Sequence, residues 1–402
     1  TIMTEKIIEG IKYLLEEETL TAEVIKNQNG YRGNIIIPET IVFNEVTYRV
    51  TSVGKQAFYN CFSLTSVVIP NSVTSIGRDA FGGCDSLRSI VISNGVTSIG
   101  EAAFMECDSL NSIVIPNSVI SIEDNAFKAC VSLKSIVIPE SVTSIGEQVF
   151  WGCDSLTSII VAEGNTMYDS RNQCNAIIET ATNKLISVCK KTIIPDGVTS
   201  IGSVFSQCDS LTSITIPDSV TSIEKEAFLS CVALKSIVIG NGVTSIGEAA
   251  FGGCSSLTSI VIGNGVTSIG ETAFEDCSSL TSIVVAEGNT VYDSREQCNA
   301  IIHTATNTLI SGCQNTIIPD SVKSIGDYAF YYCSSLTSIV IPDSVTSIGE
   351  AVFMGCDSLK SITFNGTKMQ WNSIELGDEW NCKIPAQIVR CTDGNVKIED
   401  CD

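Results

Sequence analysis

Cysteine is the residue type in this chain with the clearest capacity for chemistry, because there are 18 of them and a thiol can bind metal or exchange disulfides. Zinc and redox sites need cysteines close together, as in Cys-x-x-Cys, and that spacing does not occur. Eleven cysteines instead follow a period of 23 residues, interrupted by two longer gaps: Cys61, Cys84, Cys107, Cys130, Cys153, Cys208, Cys231, Cys254, Cys277, Cys333 and Cys356. This pattern predicts a ladder of buried thiols that pack as small apolar side chains.

The sequence offers few residues that could support nucleophilic catalysis. His303 is the only histidine, so any Ser-His-Asp or Cys-His arrangement would need it. It stands where an otherwise matching segment has Glu179, which favours an exposed strand position. The stretch SIGEAAFGGC lacks the Lys-Ser/Thr of a phosphate loop. The sequence therefore predicts a protein that is not an enzyme, with no catalytic residues, no cofactor and no metal site.

The cysteine period belongs to a longer repeat that also places the apolar residues. Phe81 precedes Cys84 by three residues and Leu87 follows it by three, within the pattern A-F-x-x-C-x-x-L-x-x-I-x-I-P-x-x-V-x-x-I-G. The alternation in SIVI predicts a strand that points Ile260 and Ile262 inward, and EAAF predicts a short helical turn. One such unit cannot bury its apolar residues alone, so we expect the units to stack.

The predicted fold is an α/β leucine-rich-repeat solenoid, since periods of about 20–29 residues are typical of that architecture. We expect about thirteen coils with parallel β-strands and short helical turns on the opposite edge, two of the coils being long and bearing hairpins. Both ends leave the period and are predicted to close the stack. The expected organisation is an N-terminal capping segment at 1–50, the solenoid at 51–363 and a C-terminal capping segment at 364–402.

The two long coils carry matching inserts, which begin with VAEGNTMYDSR at Val161 and VAEGNTVYDSR at Val285. Apolar runs on both sides of TATN predict a hairpin in each insert. A turn centred between residues 181 and 182 places Cys174 opposite Cys189, and the second copy places Cys298 opposite Cys313. These pairs are candidate cross-strand disulfides in an oxidising compartment; buried free thiols are the alternative.

Charge excludes two classes of partner. The formal net charge of -22 repels phosphate backbones and acidic lipid surfaces, so neither nucleic acid nor an anionic membrane is an expected partner. No run of about 18 apolar residues is present, which predicts no insertion into a membrane. Neither a secretion signal nor a surface anchor is visible.

The repeated LTSIVIPDSVTSIGEAAF phrase, the YDSR…CNAII…TATN inserts and GTKMQWNSI near the end resemble the BspA-type leucine-rich-repeat proteins. This resemblance covers nearly the whole chain and is specific for fold. It implies a secreted or cell-surface binding protein of the kind associated with adhesion to host or neighbouring cells.

Function should lie on the outward surface, because the repeat assigns most of its residues to the interior. Strand positions such as Ser259 and Val261 point outward, and the two residues after each phenylalanine vary between coils. Exposed aromatic residues are favoured interface anchors, although they also serve to cover local apolar surface. The predicted ligand-binding residues are Tyr59, Trp151, Ser259, Val261, Tyr331 and Tyr332.

The function that these observations favour is non-enzymatic, extracellular or cell-surface binding of a protein or glycan ligand. Affinity would come from many weak contacts along an extended surface. Two other functions stay open: a structural spacer or assembly module with no ligand, and a glycan-binding or glycan-degrading accessory module.

Overall fold

A computed structural model describes residues 3–399 and 401. The chain divides into two compact units, residues 1–193 and residues 194–402, and each is described by itself. In both units the chain winds through parallel strands with a 23-residue register, so the predicted fold class is confirmed, with about fifteen turns in all.

The first unit begins with antiparallel strands. Met3–Ile8 pairs with Ile11–Glu16, which pairs with Thr21–Val24. Thr21–Val24 then lies parallel to Val46–Val53, which also pairs antiparallel with Thr40–Phe43. Gly33–Ile36 pairs in parallel with Leu64–Ile69, the first strand of the regular repeat. The N-terminal segment is thus joined by hydrogen bonds to the stack that follows it.

The regular coils of the first unit form two rows of strands, and the long-strand row is interrupted at residues 111–116, where the chain forms no strand. The long-strand row comprises Leu64–Ile69, Ser89–Ile92, Ser135–Ile138 and Ser158–Val161. The short-strand row comprises Ser75–Ile76, Ser98–Ile99, Ser121–Ile122 and Ser144–Ile145. Ser98 pairs with Ser121, so one coil advances the register by one full repeat and every isoleucine faces the interior again.

The second unit repeats the same two rows. Its long-strand row comprises Ser213–Thr215, Ser236–Val238, Ser259–Ile262, Ser282–Val285, Ser338–Ile341 and Ser361–Phe364. Its short-strand row comprises Ser200–Ile201, Ser222–Ile223, Ser245–Ile246 and Ser268–Ile269, and in a separate sheet Ser324–Ile325, Ser347–Ile348 and Glu375–Leu376. Ile260 and Ile262 are buried, as the alternation of SIVI predicts.

Each insert forms the predicted hairpin. The first hairpin consists of Tyr168–Asp169, the 3-10 turn Arg171–Gln173, Ala176–Glu179 and Lys184–Val188. The second hairpin consists of Tyr292–Asp293, the 3-10 turn Arg295–Gln297, Ala300–His303 and Thr308–Gly312. In the second unit Thr308–Gly312 continues in parallel into Ser324–Ile325, which joins the hairpin to the short-strand row.

The segment from the glycine to the cysteine of each coil, such as 77–84, is termed the turn edge. In the described residues the predicted helical turns are not found there, except for the 3-10 turn Ser203–Phe205 within residues 202–208. Consecutive tight turns take their place, in which φ is 52° at Asp79, Ala102 and Thr272. These left-handed residues turn alternate amides toward the next coil, so that the amide of Phe58 donates to the carbonyl of Ala80 at 2.7 Å. Apart from this turn and those of the hairpins, the only helical segment in the described residues is the α-helix Lys368–Trp371.

Phenylalanine rings and cysteine thiols fill the space beneath the turn edge. Rings from Phe58 to Phe150 stack at centroid distances of 4.8–5.6 Å, and a similar series runs from Phe205 to Phe274. Eight periodic cysteines donate an S–H···O bond of 3.0–3.2 Å to a phenylalanine carbonyl 26 residues earlier. The thiol is therefore both a small core residue and a donor to a carbonyl of the preceding coil.

The C-terminal segment leaves the repeat through the helix Lys368–Trp371, which Thr367 and Gln370 begin with a capping box. Trp371 packs on Phe364, and Trp380 packs on Phe353 at the end of the ring series. The strands Ile388–Cys391 and Gly394–Lys397 add to the edge of the long-strand row. A disulfide joins Cys382 to Cys401.

Candidate binding surfaces

Three tyrosines cluster on the turn edge of the second unit. Tyr331 meets Tyr332 and Tyr328 edge to face, at centroid distances of 4.7 and 5.4 Å. The hydroxyl of Tyr328 donates to Glu350 at 3.0 Å, and the ammonium of Lys383 lies 6.0 Å from the ring of Tyr332. All three are half-buried. Tyr331 and Tyr332, which the sequence predicts as ligand-binding, thus lie side by side on a firmly positioned aromatic surface.

The other two predicted aromatic residues lie on the turn edge of the first unit, each beside a lysine. The ammonium of Lys26 is 5.7 Å from the ring of Tyr59, and that of Lys128 is 4.8 Å from the ring of Trp151. Both rings are half-buried. A role for Tyr59 and Trp151 in ligand binding stays a prediction.

The outward face of the long-strand row carries alternating serine and β-branched residues. Ser259 and Val261 are half-buried on this face. Other outward residues are more open: in the first unit Val91 is 51% exposed, Val114 79% and Val137 51%, and in the second unit Val238 is 58% exposed and Val340 51%. Together with Ile160 the three valines of the first unit form the valine row, which four successive coils build at one position of the repeat.

The predicted hairpin disulfides are absent, because Cys174, Cys189, Cys298 and Cys313 are all free buried thiols. The predicted pairing holds at the tip of the hairpin, where Glu179 faces Lys184. A register shift between residues 177 and 178 then offsets the strands by one residue. Cys189 consequently lies near Asn175, whose carbonyl accepts from its thiol at 3.4 Å. The same shift occurs between residues 301 and 302 of the second hairpin.

An arginine clamp that the sequence did not predict holds each hairpin. Arg171 binds both carboxylate oxygens of Asp169 at 2.7 Å, and its remaining nitrogen donates to Asn183 at 2.7 Å. Arg295 makes the same contacts with Asp293 and Asn307. The only signal in the sequence is that Asp, Arg and Asn recur at the same places in both inserts.

The pKa of the aspartate is lowered in both clamps. The hydrogen bond from Arg171 is the largest influence on Asp169 and lowers the pKa of that carboxyl. Burial is the largest influence on Asp293 and acts to raise its pKa, but the bonds from Arg295 and Thr304 outweigh it and the pKa is lowered. Both carboxylates are therefore held in the ionised form as structural parts of the hairpins.

Residues with other chemical capacity are dispersed. His303 bonds to Thr306 through Nδ1 at 2.9 Å and lies next to the turn of the second hairpin. Residues 3–399 contain no group of three or more His, Cys, Asp or Glu side chains placed to hold a metal ion. The same residues contain no helix with the length and apolar character needed to cross a bilayer.

The repeat geometry agrees with a family model described as the BspA type leucine rich repeat region, which matches six copies at residues 51–175, 183–299 and 307–376. The chain belongs to this BspA-type family. Its members are repeat proteins and not enzymes as a class. No match was found among curated protein sequences.

Solved structures support the BspA-type fold over the full chain. A leucine-rich repeat protein from Bacteroides ovatus is 28% identical, with 93% of this chain and 90% of that one covered and a TM-score of 0.57. One from Eubacterium ventriosum is 21% identical over 96% of each chain, with a TM-score of 0.58. The pneumococcal vaccine antigen PcpA is 18% identical, with 93% and 98% covered and a TM-score of 0.57.

Proposed function

We propose that this BspA-type protein is an extracellular or cell-surface binding protein that mediates adhesion by binding a protein partner along its strand face. The observation that carries this proposal is the valine row, Val91, Val114, Val137 and Ile160, since contiguous apolar surface on a folded protein marks interaction sites. Surface location follows from what membership of the family implies.

The geometry of the row favours a protein partner over a glycan. Its exposed atoms are aliphatic, whereas saccharides are usually met by aromatic rings and hydrogen-bonding groups. Val137 and Ile160 are paired on neighbouring parallel strands, and Val91 and Val114 hold the same repeat position in the two preceding coils. At roughly 4.8 Å per coil the row extends over roughly 14 Å. A partner that contacts the row gains several small apolar contacts from separate coils.

A binding screen against immobilised matrix proteins and glycans tests this function. The variant Val91→Thr/Val114→Thr/Val137→Thr keeps the shape of the side chains and removes three exposed methyl groups in favour of hydroxyls. Ile120→Thr is the control, because Ile120 is 51% exposed in the same unit and lies at a different position of the repeat, where neighbouring coils have threonine. We expect the triple variant to weaken binding of a protein partner at least tenfold, about 1.4 kcal/mol, and the control to retain it.

The other functions make different predictions in the same screen. A spacer binds nothing, and it tolerates deletion of one whole 23-residue coil without loss of function. A glycan module binds saccharide, responds to changes at Trp151, Tyr331 or Tyr332 and ignores the valine variants. Either result would replace the adhesion proposal.

A further inference from the structure

A cavity of about 230 Å³ opens on the turn edge of the second unit. One wall is the turn edge that ends at Cys277, with Phe274 and Leu280. The opposite wall is the turn edge of the next regular coil, with Phe330 and Tyr331. Ile310 and Gly312 of the second hairpin form the floor. All of these residues belong to the second unit.

The cavity exists because the second insert omits a turn edge. Residues 285–322 contain no phenylalanine, so nothing in that segment continues the ring series. Phe274 stacks on Phe251 on one side, and Phe330 stacks on Phe353 on the other. Among the described residues no ring lies between them, and both Phe274 and Phe330 line the cavity, with Gly312 packed beside Phe330.

Charge around the cavity is of one sign. Four carboxylates line it and no basic side chain does so in the described part of the chain: Glu271, Glu275, Asp276 and Asp327. The carboxylate of Asp327 accepts a hydrogen bond of 2.7 Å from the backbone amide of Glu350. For Glu275 and Asp276, residues 3–399 provide neither an ion pair nor a side-chain hydrogen bond. Burial raises the pKa of both carboxyls, and in Glu275 the neighbouring charges of Asp276 and Glu248 raise it further.

An aromatic side chain stands at the same opening. Tyr331 lines the cavity, and Tyr328 holds it edge to face at 5.4 Å. Burial is the main cause of the raised pKa of Tyr331, and the nearby charge of Glu275 adds to it. A cation placed here would meet a ring face as well as carboxylates, and both attract it.

We propose that this cavity binds the side chain of a lysine or arginine presented by a partner protein. Its apolar walls suit the methylene stem, and its acidic, aromatic rim suits the charged end group. A cavity of about 230 Å³ has room for one long side chain. This site is separate from the valine row and does not depend on it.

The test uses small probes that differ in one property. Nα-acetyl-lysine N-methylamide has the methylene stem and the charged ammonium, and Nα-acetyl-norleucine N-methylamide has the stem alone. Choline is a compact cation. Calorimetric titration of the full chain at low salt measures each affinity. We expect the capped lysine to bind at one site and the capped norleucine to bind at least tenfold more weakly.

Two variants locate the site. Glu275→Gln/Asp276→Asn should weaken capped lysine about tenfold, about 1.4 kcal/mol. Its control is Glu106→Gln/Glu147→Gln, which changes net charge equally on the turn edge of the first unit, where both residues are exposed. Tyr331→Leu should weaken binding about threefold because it removes the ring.

Several results would overturn the proposal. Equal binding of capped norleucine would show that charge has no part in recognition. An equal loss in the control double variant would show general electrostatic attraction by an acidic protein. Tighter binding of choline than of capped lysine would assign the cavity to a small free cation. Absence of any capped-lysine binding would also refute the proposal. None of these results tests the role of the valine row.

Discussion

The two hairpins are nearly the same in sequence and share one scaffold, yet they differ at a position that faces the interior. Both have the same register shift and the same arginine clamp. The first hairpin ends with Val188, which is 8% exposed, and the second ends with Gly312. An added Cβ at Gly312 would lie 2.3 Å from the ring of Phe330. The identical clamp residues therefore hold both hairpins in the same form. The difference in size between Val188 and Gly312 determines what can pack beside each hairpin.

The largest expected effect comes from giving the second hairpin the residue of the first. Gly312→Val should lower the free energy of unfolding by about 2–3 kcal/mol, because Phe330 is buried and must move or strain. Val188→Ala, which only removes methyl groups, should cost about 1–2 kcal/mol. Urea unfolding followed by circular dichroism measures both. A neutral Gly312→Val would show that size at this position does not distinguish the hairpins.

The clamps should contribute alike. Arg171→Gln and Arg295→Gln each remove charge-assisted bonds that are partly shielded from water, and each should cost about 1–2 kcal/mol. Lys184→Gln, an exposed change in the same hairpin, should cost less than about 0.5 kcal/mol. The same unfolding measurement applies. A large difference between the two arginine variants would break the equivalence of the scaffolds.

Acidification should weaken both hairpins by a smaller amount. Because the pKa of Asp169 and of Asp293 is lowered in the folded protein, each stabilises it above the unfolded pKa of about 3.9 and loses that contribution as pH falls through the folded value. Between about pH 5 and pH 3, Asp169→Asn and Asp293→Asn should each reduce the loss of stability by on the order of 1 kcal/mol or less. Parallel curves for wild type and variants would contradict this account.

The smallest effect should come from the most visible chemical difference. Glu179 accepts from Thr182 and His303 bonds to Thr306, so the two residues do the same local work at the hairpin turn. Exchanging them, as Glu179→His with His303→Glu, should change stability by less than about 0.5 kcal/mol in thermal unfolding. A larger change would give His303 a role that its contacts do not show.

Much of the fold could be predicted from the sequence because stacking requires repetition. Phe81 and Leu87, placed in the interior by their spacing from Cys84, are fully buried. The inward isoleucines and the two strand rows follow from the same periodicity, and the hairpins follow from the apolar runs on both sides of TATN in the two inserts. These features depend on the local pattern of residue types, which recurs in each coil.

The parts that could not be predicted depend on departures from pattern. A register shift has no signature in Ile177 or Ile178, and it displaced the cysteine pairing by one residue. The sequence predicts a helical turn at the turn edge, because alanine at a position such as Ala102 gives no sign of a positive φ. The cavity results from residues that are missing, and only three-dimensional placement of Phe274 and Phe330 reveals it.

The thiol ladder also determines how this molecule ages in an oxidising environment. Oxidants and disulfides react with the thiolate, and burial raises the pKa of Cys84 and Cys153 to about 12, so about one in 10⁵ of these thiols is ionised at pH 7. Slow reaction keeps the cysteines of the ladder free of crosslinks for as long as its coils stay together. Once they separate, many sulfurs become reactive at the same time, and irreversible loss of the protein begins with that separation.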